Sequence, residues 1–254
     1  MADQHNDKVG NRGDVWKHFI LCGVANTLIQ GRADKRPFVY VDSHCSFGHF
    51  TLSKNGQWQQ GIGQFYGRTW PLADYPYFAM EQKAYEATHS YLGSWKIVEG
   101  LLVAGGIQGD LRLFDMSDVV ARKLVKVRGF SHSDGFNGII SGPSADLCFV
   151  DPAYSDRRES DWRRVQEVSK IFYERKARAL IWYPVFVKER RLDDLASVVI
   201  AEVRWPARGA NQVMRGCGMV AFGETSGILY EMQSSLTQLA VALSGSLFLR
   251  DHRT

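Results

Sequence analysis

Several kinds of segment are missing from this chain of 254 residues, and each absence excludes a class of protein. No run of about 18 apolar residues occurs, so no membrane-spanning helix is expected. Residues 1–10 are polar, which argues against a secretory signal and favours a cytoplasmic protein. The four cysteines lie far apart and form no C-x-x-C pair, so neither a zinc site nor a disulfide framework is predicted.

Further absences narrow the class of fold and of enzyme. No G-x-G-x-x-G sequence follows the first predicted strand, which argues against a nicotinamide-dependent dehydrogenase. Internal repeats and low-complexity segments are also missing. With 45% hydrophobic and 23% charged residues, the composition is that of an ordinary globular protein. The length predicts a single domain over residues 1–254, with room for a small insertion.

Strands and helices alternate along most of the chain. Helices are predicted over 14–29, 79–91, 94–104, from about 117, over 160–176 and over 229–243. Strands are predicted over 38–42, 110–115, 126–128, 146–151, 179–183, 198–203, 219–222 and 246–249. Asp14 is the expected N-cap of the first helix. This alternation predicts an α/β fold with a doubly wound, mostly parallel sheet.

Three of the predicted strands end in an aspartate, namely Asp42, Asp115 and Asp151. In doubly wound sheets, ligands bind beyond the carboxyl ends of the parallel strands. We therefore expect the three carboxylates to lie along one edge of the sheet, beside the binding site.

The sharpest local motif is Asp151-Pro152-Ala153-Tyr154, at the end of the predicted strand 146–151. It resembles the Asp-Pro-Pro-Tyr motif of methyltransferases that act on the exocyclic amine of adenine. That amine is a poor nucleophile, and two acceptors for its N–H bonds would activate it. The carboxylate of Asp151 and the carbonyl of Pro152 are the expected acceptors, and Tyr154 is expected to stack on the extruded base. An ordinary Asp-Pro turn is the structural alternative.

Basic residues are frequent after this motif, between Arg157 and Arg191, and form a smaller group at 122–128. Basic clusters bind nucleic-acid phosphates because binding releases counterions. The formal net charge of +4 is too small to decide the matter alone. Since acidic residues alternate with the cations, a solvated helix face is an equal alternative.

Six segments resemble, in order along the chain, the bacterial 23S ribosomal RNA adenine-N6-methyltransferase family of the RlmJ type. They are residues 10–18 (GNRGDVWKH), 37–44 (PFVYVDSH), 91–94 (YLGS), 134–136 (DGF), 182–185 (WYPV) and 215–219 (RGCGM). Each match is short, and their common order across nearly the whole chain makes the resemblance specific. It implies a Rossmann-like class I methyltransferase fold with a helical insertion at about residues 53–92.

The resemblance also implies a cofactor, a substrate and a set of site residues. The cofactor is S-adenosylmethionine, and the substrate is adenine in RNA, with ribosomal RNA as the expected partner and no metal or membrane involved. The implied cofactor contacts are His18, His44, Ser94, Asp115, Asp134, Gly135 and Asp151. The implied catalytic residues are Asp151, Pro152 and Tyr154. The expected substrate contacts are Lys17, Arg157 and Arg158.

Several of these residues have a structural role as an alternative. The structural alternative for His18 is that it simply completes a turn of the first helix, and for Ser94 that it is only the N-cap of the helix 94–104. Asp134 and Gly135 are also typical of a simple turn. A cofactor contact at Asp115 is physically reasonable, because an acid after the second strand binds ribose hydroxyls in such folds.

One loop departs from the family pattern. After the first strand the family has Ala-Gly-Ala-Gly, whereas this chain has Cys45-Ser46-Phe47-Gly48. Glycines at such positions allow positive φ and a close approach to the cofactor. The departure leaves two alternatives open. One is a repurposed or non-catalytic homologue that binds RNA or a protein partner, and the other is a methyltransferase for a small molecule or peptide.

Overall fold

The computed structural model describes residues 7–154, 158–186, 198–206 and 214–253, without the side chain of Arg158. Its helices are α1 (Arg12–Gln30), α2 (Pro76–Thr88), α3 (Ser94–Ala104), α4 (Asp118–Leu124), α5 (Gly135–Ser141), α6 (Arg158–Glu174), α7 (Glu224–Glu231) and α8 (Gln233–Ala242). Its strands are β1 (Phe38–Asp42), β2 (His49–Thr51), β3 (Ser90–Leu92), β4 (Gly109–Asp115), β5 (Phe130–His132), β6 (Leu147–Val150), β7 (Ala179–Phe186), β8 (Val198–Arg204), β9 (Met214–Phe222) and β10 (Ser246–Asp251).

Eight of these strands form the main sheet, in the order β10-β8-β9-β7-β6-β1-β4-β5. The strands from β5 to β7 pair in parallel. Strand β9 runs antiparallel between β7 and β8, and β10 pairs antiparallel with β8. Counted along the chain within this sheet, the parallel part has the order 3-2-1-4-5 of doubly wound Rossmann folds. The predicted α/β fold with a doubly wound, mostly parallel sheet is confirmed.

Helix α1 begins earlier than the sequence predicted. The side chain of Asn11, not Asp14, is the N-cap, and its oxygen accepts the N–H of Gly13 at 2.7 Å. An asparagine oxygen stabilises the first turn by pairing with N–H groups that have no partner within the helix. Asp14 is therefore inside the first turn, with its carboxylate available to other groups. Thirteen of the nineteen residues of α1 are buried, against α2, α3, α7 and β9.

Two predicted boundaries were wrong. Residues 126–128 form no strand, because the turn that ends α4 continues to Val127, whose N–H donates to the carbonyl of Leu124. The strand begins only after Gly129, which has a φ of +86° and approaches the backbone of Leu111 too closely for a side chain. The helix predicted over 229–243 is two helices, α7 and α8, with Met232 between them.

Residues 53–92, predicted as a helical insertion, contain short 3-10 turns at Gln57–Gln60 and Ile62–Gln64, then α2 and β3. Strand β3 pairs antiparallel with β2 in a separate two-stranded sheet. Aromatic rings join these pieces, and the rings of Tyr66 and Tyr85 stack with centroids 4.1 Å apart. None of the helices in the described residues combines the length and the apolar character that crossing a bilayer requires.

A buried carboxylate joins the amino ends of β1 and β6. The side chain of Asp146 is 3% exposed and precedes β6. It accepts two hydrogen bonds from Arg36, at 2.8 and 2.5 Å, one from Arg32 at 3.1 Å and one from the N–H of Val39 at 2.8 Å. Burial alone would raise the pKa of Asp146, but these donors outweigh it and the pKa lies below the ordinary value.

We predict that Asp146→Asn lowers the free energy of unfolding at pH 7 by about 3 kcal/mol, because it removes the buried anion that accepts hydrogen bonds from Arg32 and Arg36. Since the native pKa is depressed, the stabilisation is present above the unfolded pKa of about 4 and is lost as the pH falls below it. Urea unfolding between pH 7 and pH 3.5 measures this. Asp34→Asn, at a half-exposed partner of the same arginines, should cost less than about 1 kcal/mol. Equal losses in the two variants would contradict the prediction.

Candidate active site

The carboxyl ends of three neighbouring parallel strands bring the predicted acids to one edge of the sheet. Asp42 ends β1, Asp115 ends β4, and Asp151 directly follows β6. The strand register aligns them, since Asp42 lies beside Leu113 of β4 and Phe149 of β6. In this fold such an edge is the place where ligands bind.

Asp151 is held by an ion pair with helix α1. The Nζ atom of Lys17 lies 2.7 Å from Oδ2 of Asp151 and 2.8 Å from Oδ1 of Asp14. The three side chains are between 13% and 17% exposed. Within the described part of the chain, Oδ1 of Asp151 has no hydrogen-bond partner. One oxygen of this carboxylate can therefore accept a donor from a ligand.

Lys17 and Asp151 influence each other's ionisation, although burial has the larger effect on Asp151, whose pKa lies above the ordinary value. Burial works against the charge of Lys17, but Asp14 and Asp151 outweigh it and hold its pKa above the ordinary value. Burial raises the pKa of Asp151, and the ammonium of Lys17 opposes that rise. The ammonium thus favours the ionised form of a carboxylate that is largely removed from water.

The aromatic ring of Trp182 lies beside this ion pair. Nζ of Lys17 is 5.3 Å from the ring centroid, above the face of the indole. Trp182 is in β7, the neighbour of β6, and is partly exposed. Sequence reasoning did not include it among the site residues. The signal that could have found it is its place on the strand next to the one that ends in Asp151.

Tyr154 does not have the environment that the sequence predicted. Its side chain is 2% exposed, and its ring centroid lies 5.3 Å from that of Trp162 and 5.8 Å from that of Trp182. Its hydroxyl donates to the carbonyl oxygen of Trp182 at 3.0 Å. The ring is covered by protein and has no free face for a base. Pro152 is also buried, but its carbonyl accepts no hydrogen bond from the residues described.

Asp42 is the centre of a buried hydrogen-bond network at the end of β1. It accepts from the hydroxyl of Ser94 at 2.5 Å, from the hydroxyl of Tyr40 at 2.9 Å and from the N–H of His44 at 3.2 Å. Burial raises the pKa of Asp42 to about 7, against the effect of these three donors. Ser94, predicted as a cofactor contact, is thus engaged with a carboxylate, and the N-cap of α3 is Gly93.

The two predicted histidines lie in different surroundings. Nδ1 of His44 is 2.7 Å from the hydroxyl of Ser43, and burial lowers its pKa to about 4. His44 stays at the carboxyl edge, beside the ring of Phe136. His18 points into the interior, where its Nδ1 lies 2.6 Å from the hydroxyl of Tyr91. Both rings are neutral near pH 7, since burial also lowers the pKa of His18.

The divergent loop after β1 packs against Asp115. The N–H of Ser46 donates to Oδ2 of Asp115 at 3.0 Å, and the N–H of Ser117 donates to Oδ1 at 2.8 Å. Ser46 has a φ of +50°, a conformation that glycine adopts more easily. The ring of Phe47 packs on Phe50 and lies beneath the ammonium of Lys123, at 4.3 Å. Ser46 thus keeps a backbone conformation typical of glycine at a position where this loop has no glycine.

Asp134 and Gly135 begin helix α5 beside this loop. Asp134 is the N-cap, accepting the N–H of Phe136 at 2.8 Å, and its other oxygen pairs with Arg164 at 3.2 Å. A Cβ on Gly135 would overlap the backbone of Ser43. The structural alternative for this pair, a local turn and cap, therefore describes what both residues do in this structure.

The remaining predicted contacts are only partly visible. Arg157 and the side chain of Arg158 lie outside the described residues, whereas Lys17 is in the site. Throughout the described part of the chain, no cluster of three or more His, Cys, Asp and Glu side chains is arranged to hold a metal ion. The structure brings together Lys17, His44, Ser94, Asp115, Asp134, Gly135 and Asp151 at the carboxyl edge, and it turns His18 and Tyr154 inward.

Comparisons with known proteins show the fold and a limited sequence similarity. No family model matches the chain. It is 32% identical over 81 residues to "Ribosomal RNA large subunit methyltransferase J" of Haemophilus influenzae, over 30% of this chain. The match spans 26% of that relative's length.

Two solved structures differ in how well they superpose on the chain. A protein from Legionella pneumophila str. Philadelphia 1 superposes with a TM-score of 0.77 at 20% identity, over 96% of this chain and 98% of its own. An rRNA methylase from Streptococcus thermophilus has a TM-score of 0.38 at 10% identity, over 79% and 95% of the two chains. The first shows that the fold is shared along the whole chain.

We predict that Ser94→Ala raises the pKa of Asp42 above about 7, because the variant removes a hydroxyl donor that stabilises the ionised carboxylate. The carboxyl ¹³C shift of Asp42, followed by NMR through a pH titration, measures the change. Tyr40→Phe removes another donor to the same carboxylate and should shift the pKa in the same direction. An unchanged or lowered pKa in both variants would show that these hydroxyls do not act on Asp42.

Proposed function

We propose that this protein transfers a methyl group from S-adenosylmethionine to the N6 amine of an adenine in RNA, with 23S ribosomal RNA as the expected substrate. The carboxylate of Asp151 carries this proposal. It is buried, its ionised form is favoured by Lys17, and one of its oxygens has no partner among the described residues. The carbonyl of Pro152 follows directly in the chain. Together they offer the two acceptors that the two N–H bonds of an amine need.

The residues at the carboxyl edge fit S-adenosylmethionine. Asp115 ends the second strand of the parallel order, where an acid suits ribose hydroxyls. Asp42, Asp115 and Asp151 together suit a ligand that carries a cationic sulfur and a cationic amino group. We propose that Asp115, Asp134, Gly135, His44 and Ser94 hold the cofactor, with His18 behind them. When bound, S-adenosylmethionine supplies a methyl group activated by its positive sulfur.

Asp151 and Pro152 would act on the amine of the substrate. Hydrogen bonds to the carboxylate and to the carbonyl orient both N–H bonds and return electron density from the ring to nitrogen. As nitrogen becomes positive during transfer, the nearby anion stabilises that charge without having to reorganise. The same carboxylate is placed to accept the proton that the methylated nitrogen releases. Lys17 holds Asp151 in position and favours its ionised form for both tasks.

The adenine base needs an aromatic partner, and we assign that role to Trp182. The indole face is already close enough to the ammonium of Lys17 for a cation–π contact, so it borders the space in front of Asp151. Tyr154, the residue expected from the sequence, supports Trp182 from behind through its hydroxyl. Stacking on a flat aromatic surface holds an extruded base in place without regard to sequence.

RNA as the substrate rests on similarity and on charge. The relative from Haemophilus influenzae is named as a methyltransferase of large-subunit ribosomal RNA. Arg157 and Arg158 come three and four residues after Tyr154 in the chain, and we propose that they contact the RNA backbone. Cationic side chains beside the site would neutralise phosphates and hold the strand while one base enters.

A second candidate function is RNA binding without methyl transfer. Both oxygens of Asp115 already accept backbone N–H groups, from Ser46 and Ser117. The divergent loop therefore competes with ribose hydroxyls for this carboxylate. Calorimetry with S-adenosylmethionine separates the two functions, because only the methyltransferase must bind the cofactor.

We predict that Asp151→Asn lowers the rate of N6-methyladenosine formation in transcribed 23S ribosomal RNA at least about 100-fold, because the developing charge on nitrogen loses its anion. Mass spectrometry of the digested RNA measures the product. Cofactor affinity, measured by calorimetry, should change less than about threefold. Glu174→Gln, an exposed position on α6, is the matched control. A variant at 151 that methylates at nearly the wild-type rate would exclude this role for Asp151.

We predict that Lys17→Met shifts the acid limb of the pH–rate profile to higher pH. The ammonium of Lys17 lowers the pKa of Asp151, so its loss raises that pKa and protonates the carboxylate over a wider range. Activity of the variant should therefore recover partly as the pH rises, whereas wild type has already reached its plateau. Lys8→Met removes an exposed lysine nearby and should leave the profile unchanged. Identical acid limbs in wild type and Lys17→Met would refute the proposed effect on Asp151.

A further inference from the structure

A cavity of about 680 Å³ lies on the α5–α6 face of the sheet, away from Asp151. Three of its lining residues lie just before the first residue of a strand. They are Arg36 before β1, Asp146 before β6 and Arg178 before β7. The cavity therefore opens at the amino ends of the parallel strands, whereas the candidate active site is at their carboxyl ends. The two sites share no residue.

The wall of this cavity is strongly basic. Five cationic side chains line it, those of Arg36, Arg112, Arg175, Lys176 and Arg178. The lining includes a single carboxylate, that of Asp146, which is 3% exposed and already accepts four hydrogen bonds. Asp146 pairs with Arg36, while Arg112 and Arg178 pair with carboxylates outside the lining, so the unneutralised positive charge of the wall comes from the remaining two cations.

Two of the cations have no anionic partner in the described residues. The guanidinium of Arg175 is fixed by carbonyl oxygens at the end of α5, with Nη2 2.8 Å from the oxygen of Ile140. Weaker bonds join Nη1 to the oxygens of Ile139 and Gly142. Lys176 follows with a φ of +48°, and its ammonium has no ion pair with any described residue. A fixed guanidinium beside an unpaired ammonium is a typical arrangement for phosphate recognition.

The thiol of Cys148 lies in the same wall and responds to this charge. Burial raises its pKa to about 12, and Arg112 and Arg175 are the two charges that oppose the rise. Their field therefore reaches the floor of the cavity. The floor itself is apolar, with Val41, Phe114 and Phe172 among its lining residues.

We propose that this cavity binds a phosphate-bearing ligand of nucleotide size, with its phosphates at Arg175 and Lys176 and its less polar part against the apolar floor. The volume lies within the range of ligand pockets, about 300–1,000 Å³, and exceeds what a lone phosphate needs. The phosphate can belong to a free nucleotide or to a nucleotide of an RNA strand. The proposal does not depend on methyl transfer, because no residue of the candidate active site takes part.

The test is calorimetric titration of the full chain with ADP. We expect binding that weakens when KCl is raised from 50 to 200 mM, as for any phosphate contact. Lys176→Gln should weaken ADP binding at least fivefold, and Lys170→Gln, an exposed lysine of α6 outside the cavity, should leave it unchanged. Arg175→Gln should act like Lys176→Gln, with circular dichroism as the check that α5 is intact. Asp151→Asn controls for ADP entering the other edge of the sheet and should not alter the affinity.

An RNA titration identifies the source of the phosphate. If a ribosomal RNA fragment competes with ADP, and its affinity also falls in Lys176→Gln alone, the cavity holds RNA. If RNA and ADP bind together, the cavity serves a free nucleotide. The proposal fails if neither ADP at millimolar concentration nor RNA distinguishes Lys176→Gln from Lys170→Gln, or if Asp151→Asn abolishes ADP binding.

Discussion

The ammonium of Lys17 between two carboxylates is the interaction on which the candidate site depends. Removing a charge from water costs several kcal/mol, and a buried pair is tolerated only where partners are close and well oriented. Here Asp14 and Asp151 both lie within 2.8 Å of Nζ. Because Lys17 and Asp14 share one turn of α1, the position of that helix fixes the carboxylate at the end of β6. The N-cap at Asn11 and the buried face of α1 therefore contribute to the chemistry of Asp151.

The parallel sheet separates charge along the strands. At the carboxyl ends, Asp42 and Asp151 are buried acids whose pKa values burial raises. At the amino ends, Asp146 has a lowered pKa, because arginines surround it. The same residue type thus behaves in opposite ways at the two edges, according to the donors that the loops supply.

The sequence predicted the features that depend on residues close together in the chain, such as individual strands and their sequential order. Short apolar runs that end in aspartate predicted β1, β4 and β6 and the sheet edge that they share. The alternation of strands and helices along the chain predicted the α/β fold. The strand at 126–128 failed because Gly129 packs against the backbone of Leu111, which is distant in sequence. The contact between Lys17 and Asp151 also joins distant segments, so no spacing encodes it. The basic cavity was not predicted for the same reason, since its cations come from two separate loops and a strand.

Tyr154 occupies the last position of the motif at residues 151–154, but its ring is buried and does not have the role expected from the sequence. Ala153 stands where the related motif has a second proline, and its φ is not fixed by a ring. The next residue, Tyr154, has a φ of +49°, and its ring is packed among tryptophans. The buried hydroxyl is satisfied by the carbonyl of Trp182, which fixes that strand residue relative to Asp151. A tyrosine so placed packs against Trp182 from within, and Trp182 is the partly exposed ring beside Asp151.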